Sequence, residues 1–414
     1  MPRIVRMERA RGRVAIIGGS MAGLFAAIAL RKHGWDAIIY ERTSEELAGR
    51  GAGIATHDEL YAALREAGVN LRDEMGICSE GRVLLGRDGE EIGSFNAAQI
   101  MTSWGLMYRF LRAQIPDHAY HNGYTLVGVA QTPNGVTARF QDGTKAHADW
   151  LIGADGTRST VRQLVAPEVG VNYCGYFAWR GLIDEASVPS VTLEQIARRL
   201  TLCLAPGGHW LGYLVAGAND DLTPGRRWYN WAWYRAADAA RLREHLTDAA
   251  GQVFESGIPH DRMRADLIAE LRTDAALHLA PQCRTIIDAT IRPFVQSIND
   301  LRCEKMRYGR VCIIGDAAVT ARPHIGLGVS KAAEDASTLA HALSATAQDG
   351  ALDAWEKKRL TYGHAVLAFS RDLGSYIGPP PSTDAERAKA AYHQRPDILL
   401  TATAPPDPRR WLKL

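Results

Sequence analysis

The sequence predicts an α/β fold: a discontinuous, Rossmann-like nucleotide-binding domain, a second domain built on a mixed sheet, and a C-terminal helical extension. Three observations predict it. The chain opens with a strand, a glycine turn, a helix and a second strand. Two later strands, near residues 150 and 311, each run into a short Gly- and Asp-bearing turn of similar design. At 414 residues the chain is too long for one simple core and long enough for two domains.

Arg13 to Ile17 is a short, β-branched apolar run of the kind buried in parallel sheets. Residues 21–32 are helix formers, with Gly34 as a C-terminal stop. Residues 36–40 form a second apolar strand, and Glu41 stands at its end. The turn between strand and helix reads Gly18-Gly19-Ser20-Met21-Ala22-Gly23. Gly18 and Gly23 match the first and third glycines of G-x-G-x-x-G; Ser20 replaces the second. A pyrophosphate suits this helix N-terminus, where free N–H groups and the helix dipole favour an anion. Glu41, 23 positions after Gly18, is placed to accept hydrogen bonds from a ribose, and its charge repels a 2′-phosphate.

The second motif, Trp150-Leu151-Ile152-Gly153-Ala154-Asp155-Gly156, continues into a helix through Arg162. The third, Val311-Cys312-Ile313-Ile314-Gly315-Asp316, is followed by Pro323, Gly326, Gly328 and a helix containing Glu334 and Asp335. Each strand delivers an aspartate and small residues to its carboxyl end, the edge where α/β sheets bind ligands.

Composition excludes several classes. Hydrophobic residues at 46% and charged residues at 23% are ordinary globular usage. Forty-eight basic against 46 acidic side chains, without long runs, give no electrostatic support for nucleic-acid or anionic-membrane partners. Six scattered cysteines without a C-x-x-C pair suggest neither a disulfide framework nor a metal site, and fit reduced thiols in a cytosol. Residues 14–30 carry no charge, but Gly18, Gly19 and Gly23 interrupt them and no cleavage site follows, so a cytoplasmic protein without a signal peptide is expected.

The three motifs, in this order and spacing, resemble those of the single-component FAD-dependent aromatic hydroxylases of the para-hydroxybenzoate hydroxylase type, over roughly residues 12–365. The resemblance implies FAD as cofactor, held by Gly18, Ser20, Met21, Ala22, Gly23, Glu41 and Arg42 at its ADP half. Asp155 and Gly156, then Gly315, Asp316, Gly326 and Gly328, would serve the remainder. An arginine of the family's Arg-x-x-Leu is displaced by one position here, leaving Arg109 and Arg50, the latter beside the Gly51–Gly53 loop, as candidate contacts together with Gly53. Val319 stands where the family often has histidine.

Trp179-Arg180-Gly181 and the run from Gly315 to His324 are most similar to members acting on hydroxypyridines, with His209 and Tyr213 similar to those acting on hydroxynicotinates. The resemblance implies reduction of FAD by NADH or NADPH, activation of O2 as a flavin hydroperoxide, and hydroxylation of a small, electron-rich hydroxylated ring. A dihydroxypyridine is the first expectation; a hydroxynicotinate or a phenol, with or without decarboxylation, is the alternative. Such chemistry calls for a base that takes the ring hydroxyl proton, and histidine suits it. His57, His209 and His324 are the candidates, with Tyr213 beside them.

Tyr229, Trp231 and Trp233 alternate on one strand face, as either an aromatic core under helices or a stacking platform; Cys203, Trp210 and Leu211 are further candidates for pocket lining. The expected domains are 12–75, 100–170 and 295–345 for FAD, 76–99 and 171–294 for substrate, and 346–414 as C-terminal helix and extension. That helix is expected over 339–369, and the extension is either a solvated tail or packed on the body or on a second copy in a homodimer. A flavin-dependent halogenase would share the fold, but no lysine lies between Lys32 and Lys145 and the Trp231-x-Trp233 stretch lacks an Ile-Pro ending. A flavoprotein dehydrogenase and a non-catalytic flavin-binding regulator are the readings of other class.

Overall fold

The computed structural model describes residues 11–45, 47, 53–66, 68 and 75–414; Arg50, Gly51 and Ala52 lie outside the described residues. A six-stranded sheet runs in the order Arg307–Tyr308, Val311–Ile313, Trp150–Gly153, Arg13–Ile17, Asp36–Glu41, Tyr120–Asn122. The three motif strands are therefore adjacent and parallel. Ile17 lies opposite Gly153, and Gly153 opposite Ile313, so all three chains leave the sheet at one level. The helices Met21–Lys32 and Gly328–Ser344 pack together against this sheet, and their apolar residues share its core. Among the described residues no helix is long and apolar enough to cross a membrane: the uncharged run from residue 14 is divided between a strand and a helix.

The second sheet has eight strands, in the order Val319–Thr320, Phe294–Arg302, Asn172–Asp184, Trp228–Ala236, Gly208–Val215, Leu200–Ala205, Arg82–Leu85, Glu91–Phe95. It is mixed, because Leu200–Ala205 and Arg82–Leu85 pair in parallel while their neighbours are antiparallel. Phe294–Arg302, expected with the nucleotide sheet, pairs instead with Asn172–Asp184, its β-branched side chains completing the larger sheet. Period-two alternation divides the sheet's side chains cleanly. Trp179, Cys203, Trp210, Tyr229, Trp231 and Trp233 pack with the helices Ala265–His278 and Pro281–Ala289, and Trp231 Nε1 donates to Thr290 Oγ1 at 2.9 Å. The aromatic strand is thus a core under helices, and Cys203 and Trp210 belong to that core. Leu211, Tyr213, Ala232 and Tyr234 share the opposite face.

The helix expected over 339–369 is two, Gly328–Ser344 and Gln348–Leu373, because Ala345 is extended (φ −70°, ψ 151°) and the chain reverses to pack the second helix on the first. The extension beyond is packed on the body. It contains the helices Asp384–His393, opened by a Thr383–Glu386 capping box, and Pro396–Ala402, with Leu399 and Ala402 fully buried. Arg82, 1% exposed, fastens it. Its guanidinium donates to the carbonyls of Leu400 (3.1 Å), Thr403 and Ala404, and to Gln99 Oε1 (2.8 Å). A cation there satisfies the last carbonyls of the helix and complements its dipole.

Arg82→Leu strands these buried acceptors, at a cost of about 3 kcal/mol. We expect limited proteolysis of this variant to cut first within 374–406, under conditions where the wild-type chain resists; identical digestion patterns would contradict the fastening role.

Candidate active site

The glycine turn has little room. Gly18 has φ +106°, and a Cβ there would lie 2.5 Å from the Ala154 carbonyl oxygen; a Cβ on Gly23 would collide with the Gly18 carbonyl. Strand and helix can approach only through these two glycines. Ser20, by contrast, has φ −88°, which any L-residue adopts, so the departure from glycine introduces no backbone strain. The motif's variable position proves constrained as well. A Cβ on Gly19 would strike the Tyr120 hydroxyl, and Gly19 N–H donates to Glu41 Oε2 at 2.7 Å. Thr43 N–H donates to Glu41 Oε1 at 2.9 Å, so two backbone amides orient the carboxylate at the strand end.

One cleft of 460 Å3 runs along the carboxyl ends of the motif strands. Gly18, Ser20, Met21, Ala22, Glu41, Arg42, Asp155, Gly156, Asp316 and Gly328 line it, joined by Trp104 and Tyr124. Two helix N-termini open on it, at Met21 and Gly328. Neither has an acid in its first turn or a side-chain cap, leaving amide donors free for an anion or a polar ring edge. Asp155 accepts from the Ser159 hydroxyl and from Val161 N–H (3.1 Å), capping the helix Thr160–Val165. Burial raises its carboxyl pKa and these bonds oppose the rise.

Asp316 differs: no hydrogen bond to its carboxylate is found among the described residues. Burial raises its pKa while the Lys331 charge lowers it. Its turn is rigidly held. Gly315 (φ +61°) donates its N–H to Asp335 Oδ2 at 3.1 Å and accepts from Lys331 Nζ at 2.8 Å, and Arg359 Nε donates to Asp335 Oδ1 at 2.6 Å. A free carboxylate beside open space at Gly156 and Gly328, where a Cβ would meet nothing within 4 Å, fits the hydroxyl-rich chain of a dinucleotide.

Three expected cofactor residues lie elsewhere. Arg109 is outside the cleft and pairs with Asp220 (Nε–Oδ2 2.9 Å), because it sits roughly 140° around its helix from the cleft-lining Trp104. Gly326 (φ +69°) closes a turn against Ala404 of the extension. Gly53 abuts the Tyr213 ring and donates its N–H to Asn230 Oδ1 at 3.1 Å.

His209 and His324 come together, with ring centroids 6.3 Å apart, and Tyr234 lies 5.0 and 5.6 Å from them. Each imidazole is held by one phenol: Tyr376 Oη at 2.6 Å from His209 Nδ1, and Tyr176 Oη at 3.0 Å from His324 Nε2. Among the described residues His209 Nε2 and His324 Nδ1 are buried without partners, as are Asn230 Nδ2 and Arg180 Nε on the same sheet face. His57 is separate, with Nδ1 3.0 Å from Ser330 Oγ at the start of the helix Gly328–Ser344. Tyr213 stands four residues from His209 along the strand, roughly 13 Å away. Burial lowers the pKa of His209 to about 3, of His57 to about 4, and of His324 well below 6.5. All three are neutral at pH 7, and burial opposes their protonation.

Sequence reading missed Tyr176, Tyr234, Asn230 and Tyr376. For Asn230 the signal was present: it is the polar residue out of phase with Tyr229, Trp231 and Trp233. Nothing local marks Tyr376, which reaches His209 across 167 positions.

A family model described as FAD binding domain-like matches residues 173–300. The chain is 34% identical over 373 residues to 2,6-dihydroxypyridine 3-monooxygenase of Paenarthrobacter nicotinovorans, covering 90% of this chain and 93% of that protein. The solved structure of 2,6-dihydroxypyridine-3-hydroxylase from Arthrobacter nicotinovorans superposes with a TM-score of 0.84 at 32% identity, over 91% of this chain and 95% of that one. Klebsiella pneumoniae HpxO, complexed with FAD and uric acid, shares the fold, with a TM-score of 0.74 at 22% identity over 95% and 94% of the two chains.

The depressed histidine pKa values tie stability to pH. Between pH 6.5 and about 4 the unfolded chain binds protons that the folded chain refuses, so stability falls with acidification. Each such histidine contributes about 1.4 kcal/mol per pH unit. In denaturant titrations at several pH values, His209→Gln should flatten that dependence by one histidine's share. An unchanged slope would mean that His209 is not held neutral.

Proposed function

The chain belongs to the FAD-dependent aromatic monooxygenases, and from that premise we propose that it hydroxylates an electron-rich, hydroxylated N-heteroaromatic ring, 2,6-dihydroxypyridine at C3 before others, using NADH or NADPH. The observation that carries the reading is 34% identity to a dihydroxypyridine monooxygenase over nearly the full length of both chains. The buried imidazole, amide and guanidinium atoms left without partners among the described residues support it, because a flat ring bearing OH and NH groups can satisfy them. In balance, one oxygen atom of O2 enters the ring, the other leaves as water, and the two electrons come from the reduced nicotinamide.

The dinucleotide cleft fits FAD. Gly18, Ser20, Met21 and Ala22 would hold its pyrophosphate at the helix N-terminus, Glu41 a ribose hydroxyl with Arg42 at the rim, and Asp155, Gly156, Asp316 and Gly328 the flavin half, while Gly23 and Gly315 shape the two turns from behind. FAD, when bound, supplies the activation of oxygen. The protein's own work is orientation, exclusion of water and the handling of one proton. Loss of the ring hydroxyl proton enriches the carbon to be attacked. His209 Nε2 and His324 Nδ1, unpartnered among the described residues and neutral, are the atoms we assign to face the ring hydroxyl, with Tyr376 and Tyr176 fixing the two rings; burial opposes a full imidazolium there, so the proton is shared in a hydrogen bond as the carbon is attacked. His57 lies 3.0 Å from Ser330 Oγ, in the first turn of the helix whose N-terminus opens on the cleft.

The test is a screen of hydroxypyridines, hydroxynicotinates and phenols for ring-stimulated NAD(P)H oxidation, with mass spectrometry for a gain of one oxygen atom. A dihydroxypyridine should give the highest kcat/KM; absence of any oxygenated product would reject the reading. His209→Gln and His324→Gln should each lower hydroxylation by roughly 100-fold with FAD content unchanged. If both retain wild-type rates, the proton acceptor lies elsewhere.

A further inference from the structure

Asn230 is the polar residue of an otherwise aromatic and alanine stretch, on the face of the sheet that carries Tyr213 and Tyr234. It is 1% exposed. Its amide orientation follows from chemistry. The Gly53 backbone N–H is a donor, so the group 3.1 Å from it must be the amide oxygen, and the NH2 is turned away from Gly53. Among the described residues that NH2 has no hydrogen-bond partner. Its neighbours in register are Leu182 on one strand and Tyr213 on the other. Tyr213 packs its phenol edge against Gly53, and no bond from its hydroxyl is found among the described residues. A buried amide that folding leaves half satisfied, with its other half locked in direction, has the properties of a group completed by a ligand.

We infer that Asn230 is a specificity determinant whose Nδ2 donates to a carbonyl oxygen of the substrate ring, so that the site selects the lactam tautomer of a hydroxypyridine over a phenol of the same shape. This rests on the hydroxypyridine reading above and deepens it. A lactam carbonyl is an amide-type acceptor; a phenol oxygen is weaker and brings its own proton. Fixing the oxygen of Asn230 on Gly53 prevents the side chain from flipping to offer an acceptor instead, so the site cannot readily adapt to a ligand donor at that point. The same bond ties the substrate sheet to the strand Gly53–Ala55, so ligand capture by Asn230 also braces that strand.

Anaerobic calorimetry of the FAD-loaded protein separates the possibilities, using 2,6-dihydroxypyridine and its carbocyclic isostere resorcinol as probes. The wild-type protein should bind the pyridine at least tenfold more tightly. Asn230→Asp keeps size and the acceptor for Gly53 but removes the donor. It should weaken the pyridine roughly 30-fold and resorcinol less than threefold, with the flavin spectrum unchanged; Asn230→Ala should abolish the same preference. Equal losses for both probes, or an undiminished preference in Asn230→Asp, would overturn the inference while leaving a hydroxypyridine hydroxylase intact. A wild-type protein that binds neither probe and oxygenates no hydroxypyridine would overturn the functional reading and this inference together.

Discussion

The structure depends on one steric constraint: three parallel strands must end at the same level, close enough that no side chain fits between their exits. Register aligns Ile17, Gly153 and Ile313, and the chains leave through Gly18, Ala154 and Gly315. A Cβ on Gly18 would enter the Ala154 carbonyl, one on Gly23 would enter Gly18, and one on Gly315 would lie 3.0 Å from Ala22. These contacts draw the helix Met21–Lys32 and the aspartate turns around one cleft. Because sheet strands are rigid on the scale of a hydrogen bond, Glu41, Asp155 and Asp316 are set before any ligand arrives.

Charge is used sparingly but deeply in that frame. Lys331 and Arg359, both nearly inaccessible, converge on Asp335, and the three together clamp Gly315 from both its N–H and its carbonyl. Buried ion pairs contribute little net stability because desolvation offsets their attraction, so the network is better understood as setting geometry. Its nearby cation also favours the charged form of Asp316, whose burial alone would favour protonation. The opposite balance holds at the inner face of the larger sheet, where burial keeps His209, His324 and Tyr213 neutral and Arg180 is the cation beside them.

The eight-stranded sheet separates packing from chemistry by alternation. One face gives its tryptophans to the helices Ala265–His278 and Pro281–Ala289; the other carries His209, Tyr213, Asn230 and Tyr234. The C-terminal extension covers that second face. Arg82 fastens the carbonyl end of Pro396–Ala402, Ala404 N–H donates to the His324 carbonyl at 3.0 Å, and Tyr376 meets His209. The extension is thus packed against the face that carries His209 and against the turn that carries His324.

By itself the sequence determined the βαβ unit, the three strand-ending motifs and the acid at Glu41, because glycine spacing and apolar runs are local signals with local physical causes. It also marked His57, His209 and His324 as residues of interest, and it carried the alternation that separates Tyr229 from Asn230. Only the tertiary structure decided that Arg109 faces Asp220 and not the cleft, that residues 339–369 are broken at Ala345, and that Phe294–Arg302 joins the larger sheet. It alone brought Tyr376 to His209 and the extension to Arg82. Those outcomes depend on pairings between residues tens to hundreds of positions apart, and a chain's local pattern does not encode which distant surface will desolvate it.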